Sequence, residues 1–345
     1  MNYKKIINKL ELDNFRITPS RQDKVYQQIK ESAQGDFDFF LLTIFSTIII
    51  TLGLVINSSS VVIGGMLIAP VVWPIFLLSL ATVMGRVRFL EKSIITVFKS
   101  TLIILLTALL IGLFIPDVLG SGSEVLSRTR PTIFELLIAL ASGFIGAFIV
   151  SYPKLGGAMA GVVVAAALVP PLAVTGLAIS RNDWQAAGGS FLLYLSNLVA
   201  ITFASGILFV LARFRGPASD EAREVRKMNL RWFVILFLIV IIPLYFTTKN
   251  TLTQQRQRQV ITDVFTAELG SAVQLTDVRT ENKGGVLQIN VTVRSEKGIS
   301  KWDVTKMTEA LSRSLERSVV LKITVIPVIE AGKILPTFDN YQPVE

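Results

Sequence analysis

The sequence predicts a mainly α, polytopic helical membrane protein. Two inverted three-helix repeats with broken middle helices are followed by a seventh helix and a small α+β extracytoplasmic C-terminal domain. Three observations carry this prediction. Hydrophobic residues make up 51% of 345 positions and Asp, Glu, Lys and Arg only 17%, too little charge to clothe a soluble domain of that length. The apolar residues gather into seven nearly charge-free runs, long enough for a hydrocarbon core of roughly 30 Å at about 1.5 Å per residue. Proline interrupts the second and fifth runs at corresponding places.

Residues 1–38 are polar and charged and read as a cytoplasmic N-terminal tail, helical from about Tyr26 to Ser32. No cleavable signal peptide is read there, so the first apolar run is expected to direct insertion. The first three-span repeat takes residues 39–115, with spans at Phe39–Ile56, Val61–Met84 and Ser100–Ile115. Residues 116–131 read as an external loop, and Pro131 suits a first helical position because its missing N–H has no partner there. The second repeat, 132–212, holds spans at Thr132–Val150, Gly156–Ser180 and Gly188–Leu211. A basic cytoplasmic loop (213–231), the seventh span (232–248), a soluble α+β domain (249–333) and a tail (334–345) complete the chain.

Orientation follows from the distribution of basic residues. With the N-terminus in the cytoplasm, 17 Lys and Arg fall on the cytoplasmic side and three, Arg128, Arg130 and Arg181, in the opposite loops. Seven spans then put the C-terminal domain outside the cytoplasm. Within that domain Val260, Ile261, Val264, Phe265 and Leu269 are spaced for one helix face. Val286, Ile289, Val291 and Val293 follow the turn at Gly284-Gly285 as a strand. Asp303 is placed to cap a helix reaching about Arg317, and Val319–Val328 reads as a final strand. The predicted order is helix, strand, strand, helix, strand.

The net charge of +9 sits mostly in tails and loops of the helical part. It therefore signals topology, and no nucleic-acid partner is expected. Cys and His are both absent, which excludes disulfides, thiolate nucleophiles and imidazole ligands. Without a base or a central Asp pair an intramembrane enzyme is not expected, and neither is a cofactor.

At an offset of 101, Val61-Val62-Ile63-Gly64-Gly65-Met66-Leu67-Ile68-Ala69-Pro70 lies against Val162-Val163-Val164-Ala165-Ala166-Ala167-Leu168-Val169-Pro170-Pro171. In each, small residues lead into proline inside the middle span of a triplet. A three-span unit reverses direction when duplicated, so a true repeat is inverted, and paired broken helices of this kind point to a transport site. Proline removes a helical N–H and displaces a carbonyl. In a membrane such backbone survives only when buried or lining a wet cavity. The candidate ion- or substrate-binding residues are Asn57, Ser58, Ser59, Ser60, Gly64, Gly65, Pro70, Pro74, Ala167, Pro170, Pro171 and Asn197. Each has a plainer reading beside it. The prolines suit packed kinks, the glycines close helix approach, Asn57 to Ser60 a capped turn, and Asn197 a helix–helix hydrogen bond.

The run Ser58-Ser59-Ser60-Val61-Val62-Ile63-Gly64-Gly65-Met66-Leu67-Ile68-Ala69-Pro70, continuing to Pro74, resembles the first hallmark of a prokaryotic family of hydrophobic membrane proteins known only as domain of unknown function 389. Ala165-Ala166-Ala167-Leu168-Val169-Pro170-Pro171 resembles the second. Gly65 stands where the family commonly has Ala. The resemblance covers residues 38–212 and implies the helical fold and a prokaryotic inner-membrane location, with no activity attached. Two functions remain in view: a transporter or channel for an unknown ion or small solute, and a non-transporting scaffold or sensor using the C-terminal domain. The lipid bilayer is the expected partner, and small-residue faces permit homo-oligomers.

Overall fold

The computed structural model describes residues 17–115, 122–129, 131–152, 167–214, 220–269, 273–283, 286–295 and 300–327. The chain divides into two compact units, Met1–Lys249 and Asn250–Glu345. The first is built of helices α1 (Pro19–Ser32), α2 (Phe37–Val55), α3 (Ser59–Ile68), α4 (Val72–Met84), α5 (Val87–Phe114), the short α6 (Ser123–Leu126), α7 (Ile133–Ser151), α8 (Val169–Ser180), α9 (Trp184–Leu211) and the first part of α10 (Asp220–Leu269). Four of these, α2, α5, α7 and α9, are long and apolar enough to cross a membrane, and α3 with α4 forms a fifth candidate bent by 54° at its break. The fifth and seventh expected spans are represented by shorter apolar helix, Val169–Ser180 and Phe237–Phe246. The expected first half of the fifth run, including Gly156, Gly157, Gly161, Ala165 and Ala166, lies outside the described residues, as do Lys154 and the Gly284-Gly285 turn.

The surface and interior of this unit are those of a helix bundle in an apolar solvent. Large side chains such as Phe45, Ile63, Phe98, Leu110, Phe134 and Ile138 are exposed, while Thr47, Thr51, Ser79, Ser100, Ser190 and Ser205 are buried. A hydroxyl in such an interior finds a carbonyl one turn back on its own helix. Thr47 bonds Thr43, Ser100 bonds Thr96 and Thr202 bonds Leu198 in this way. Other hydroxyls cross between helices: Ser46 donates to the Gly65 carbonyl (2.8 Å), Ser79 to Thr202 (3.0 Å) and Ser205 to Gly143 (3.1 Å). Gly143 is needed for its missing side chain, since a Cβ there would stand 2.6 Å from the Ile201 carbonyl oxygen.

Contacts sort the connections into two ends. At one end, α1 joins the segments around Arg86 and Phe89, Ser151, and Ala212–Arg213. Arg21 donates to the carbonyls of Val150 and Ser151 (both 3.2 Å), and Gln22 to those of Ala212 (3.4 Å) and Arg213 (3.0 Å). These are the last carbonyls of α7 and the ones just beyond α9, which lack intrahelical donors. The Tyr26 ring meets Phe89 edge-on at 5.6 Å and carries the Arg86 guanidinium 4.5 Å from its centroid. At the other end, Asn57 meets Ser123 and Glu124, and the Ile133 N–H donates to the Thr248 hydroxyl (2.7 Å).

Two local expectations need correction here. Residues 17–33, read as part of a polar tail, are packed: Ile17, Val25, Tyr26, Ile29 and Ala33 join the core of the bundle. Their spacing makes one apolar stripe, which the surrounding Lys, Glu and Gln masked in a composition-based reading. Pro131 is not the first helical residue. Thr132 is the N-cap of α7, and the Glu135 carboxylate returns to accept its N–H (2.9 Å), so proline stands one place before the cap.

The second unit opens with the end of α10, followed by β1 (Val273–Lys283), β2 (Val286–Ser295), α11 (Lys301–Leu315) and β3 (Val319–Pro327), in the expected order of elements. The sheet order is β1-β2-β3, antiparallel between β1 and β2 and parallel between β2 and β3. Leu287, Ile289, Val291 and Val293 alternate inward from β2 onto Ile261, Phe265, Met307 and Leu311. Asp303 is not the cap of α11. Ser300 is, with Asp303 at the third helical position accepting the Ser300 N–H (3.0 Å) in a capping box.

Candidate functional site at the two helix breaks

The twelve candidate residues fall in three places. Asn57, Ser58, Ser59 and Ser60 lie at an end of the bundle. Asn57 adopts a left-handed conformation (φ 55°), and the Ser58 N–H reaches back to the Gly53 carbonyl (2.8 Å), closing α2 with a motif that tolerates Asn. The Asn57 amide oxygen then accepts from the Glu124 N–H (3.0 Å) and the Ser123 hydroxyl (3.3 Å). Ser59 donates to the Glu124 carboxylate, which Arg128 also holds at 2.8 Å. The Ser59 hydrogen bond, with Arg128 beside it, keeps this carboxyl below its ordinary value of 4.5 against the opposing effect of burial.

Gly64, Gly65, Pro70 and Pro74 belong to the first break. Gly65 packs against α2, where a Cβ would stand 2.6 Å from Ile50, while Gly64 faces open space. Ala69 is extended (φ −66°, ψ 118°), and its N–H makes a tight bond to Met66 (3.3 Å), the carbonyl that Pro70 has no N–H to reach. The chain re-enters helix with the Trp73 N–H on the Pro70 carbonyl (3.2 Å). Pro74 is the third residue of α4, inside the first turn, where a helical N–H has no partner to lose. One proline makes the break and the other suits the restart.

Ala167, Pro170 and Pro171 belong to the second. Both prolines lie in the first turn of α8, so they begin a helix rather than bend one. All twelve residues of α8 except Ile179 and Ser180 are buried. The Asn197 amide, on α9 and 4% exposed, donates to the Ala167 carbonyl at 2.8 Å. This brings together two candidates 30 residues apart. Among the described residues its Oδ1 is buried with no hydrogen-bond partner, as is Thr51 Oγ1 on α2. The helix of Asn197, α9, also carries polar pairs that sequence reasoning missed: Tyr194 with Thr101 (2.5 Å) and Ser190 with Thr175 (2.9 Å). A hydroxyl at one position gives no sign of a partner on another helix, so only the i, i+4 spacing of Ser190 and Tyr194 hinted at a shared face.

Among the described residues no three His, Cys, Asp or Glu side chains converge. A cation held at the breaks would therefore rest on carbonyl, hydroxyl and amide oxygens.

A helix break at Pro70 and a proline-started helix at Val169, inside a bundle of lipid-suited helices, define a multi-pass membrane protein. Residues 66–203 match the family model described as "Domain of unknown function (DUF389)", the family that the two proline-bearing segments resemble. The matched stretch is narrower than the expected 38–212. It includes both breaks and Asn197 but leaves Asn57 to Gly65 outside. An uncharacterised protein of Methanocaldococcus jannaschii is 25% identical over 228 residues, covering 65% of this chain and 71% of that protein.

Proposed function

We propose that the protein is a transporter or channel for an ion or small solute, with its pathway between the two breaks. The observation that carries this reading is Asn197. It bridges to the Ala167 carbonyl and leaves a buried amide oxygen without a partner among the described residues, an arrangement costing about 1–3 kcal/mol unless something polar visits it. The packing supports an inverted pair of triplets: α4 and α8 each lie against both α5 and α9. With the α1 end in the cytoplasm, as the basic residues favour, the six spans of the two triplets alternate and the seventh carries the C-terminal domain outside.

The test is flux in proteoliposomes. A panel of Na+, K+, H+, chloride and small metabolites is followed with wild type and with Asn197→Ala. Flux that Asn197→Ala abolishes is the expected result, and no flux above protein-free vesicles for any member would overturn the proposal. A second reading, a sensor or scaffold, is favoured by a polar cavity of about 180 Å³ in the second unit, lined by Thr253, Arg256, Gln257, Ser314, Glu316 and Arg317. Removing residues after Lys249 separates the two, because a transporter keeps its flux and a sensor loses its ligand.

A further inference from the structure

An apolar slot of about 280 Å³ lies between α4, α9 and α10, with Val83, Phe203, Gly206, Ile207, Val210 and Val234 in its walls. Among the described residues its one polar wall residue is Thr82, which spends its hydroxyl on the Leu78 carbonyl (2.8 Å). Water has nothing to bond there. Left empty, the walls forfeit dispersion contacts. The slot opens outward, since Ile207, Val210 and Val234 are each 42–48% exposed. In a membrane-spanning bundle that opening faces lipid tails.

The slot also has a polarity along its length. It sits where α4 and α9 end, at Met84 and Leu211, the end that α1 closes. Arg213 follows the wall residue Leu211 by two positions, and Arg231 stands one turn before Val234 on α10; both are exposed. Arg86, two residues past α4, is turned onto the Tyr26 ring. The hydrocarbon-lined slot thus ends within one helical turn in sequence of two exposed Arg residues, whose guanidinium groups suit phosphate oxygens in a planar, two-pronged geometry. This is also the end to which the basic loops assign the cytoplasmic leaflet.

We propose that this slot binds one anionic phospholipid, an acyl chain lying against Gly206 and Ile207 and the phosphate meeting Arg213 and Arg231. The site needs the membrane setting but not transport, so it stands or falls separately from the pathway at the breaks. The test uses the purified full-length chain in detergent, titrated with phosphatidylglycerol and with phosphatidylcholine of the same chain length, and read by native mass spectrometry. Wild type is expected to retain one phosphatidylglycerol in preference to phosphatidylcholine. Arg231→Gln, at an exposed position, is expected to cut that preference about fivefold, the equivalent of roughly 1 kcal/mol per basic group, with the lipid-free unfolding midpoint unchanged. Val234→Phe, which fills the mouth, is expected to lower retention of both lipids. Equal retention of the two lipids by wild type would overturn the proposal, and so would an Arg231→Gln variant with undiminished preference.

Discussion

The two proline-bearing segments start from similar sequence and are held in different ways. In the first, α3 is peripheral, with only Val62, Gly65 and Met66 buried among its ten residues, and it is tied at its end, where Ser59 meets Glu124, and by the Ser46 bond to the Gly65 carbonyl. In the second, α8 is buried over nearly its whole length, and its fixed point is internal, where Asn197 takes the Ala167 carbonyl. The first break is closed by backbone alone, Ala69 to Met66 and Trp73 to Pro70. The second recruits a side chain from another helix. A proline interruption therefore sets only that a carbonyl is displaced, and the neighbourhood decides what satisfies it.

Substitutions that strike one region and spare the other sharpen this contrast. Asn197→Leu keeps the branched shape but strips the Ala167 carbonyl of its donor, and is expected to lower stability by about 1–3 kcal/mol. Thermal unfolding in detergent reads the change; a loss smaller than that of Ser46→Ala would break the comparison. Gly65→Ala forces a methyl against Ile50 and is expected to cost about 1–2 kcal/mol. Its neighbour supplies the control: Gly64→Ala meets nothing within 4 Å and is expected to stabilise by about 0.5 kcal/mol through reduced backbone entropy. Ser46→Ala removes the bond to the Gly65 carbonyl and is expected to cost about 1 kcal/mol, the first region's counterpart of Asn197.

The smallest effect concerns the Ser59–Glu124 anchor. The carboxyl is held below its ordinary value, so its stabilisation is present above about pH 4.5 and fades as pH falls through the lowered value. Glu124→Gln is expected to cost about 0.5 kcal/mol at pH 7. The difference from wild type should shrink as the pH falls through the lowered value. A difference independent of pH would show that shape rather than charge holds the anchor.

How much of this was legible beforehand differs from element to element. The apolar runs, the break at Pro70 and the element order of the C-terminal unit could be read because each depends on residues close in sequence: a run of hydrophobes, a missing N–H, a two-residue alternation in Leu287 to Val293. The packed helix α1 could not. Its stripe of Val25, Tyr26 and Ile29 is short and set among charged residues, and burial came from carbonyl ends at Ser151 and Arg213, over a hundred residues away. The candidate site was legible in its prolines and in Asn197 as a residue wanting a partner. That the partner is the Ala167 carbonyl, and that Asn57 to Ser60 serve an end of the bundle, depended on which helices came to lie side by side.

By itself the sequence determined the solvent of each part, because burying or exposing some twenty consecutive apolar side chains leaves the chain no other choice. It determined too where the helical ladder must fail, since a proline has no N–H in any fold. Only the tertiary structure decided what answers each failure. A displaced carbonyl accepts whatever donor the packing brings within about 3 Å, a backbone N–H at Met66 and a side-chain amide at Ala167.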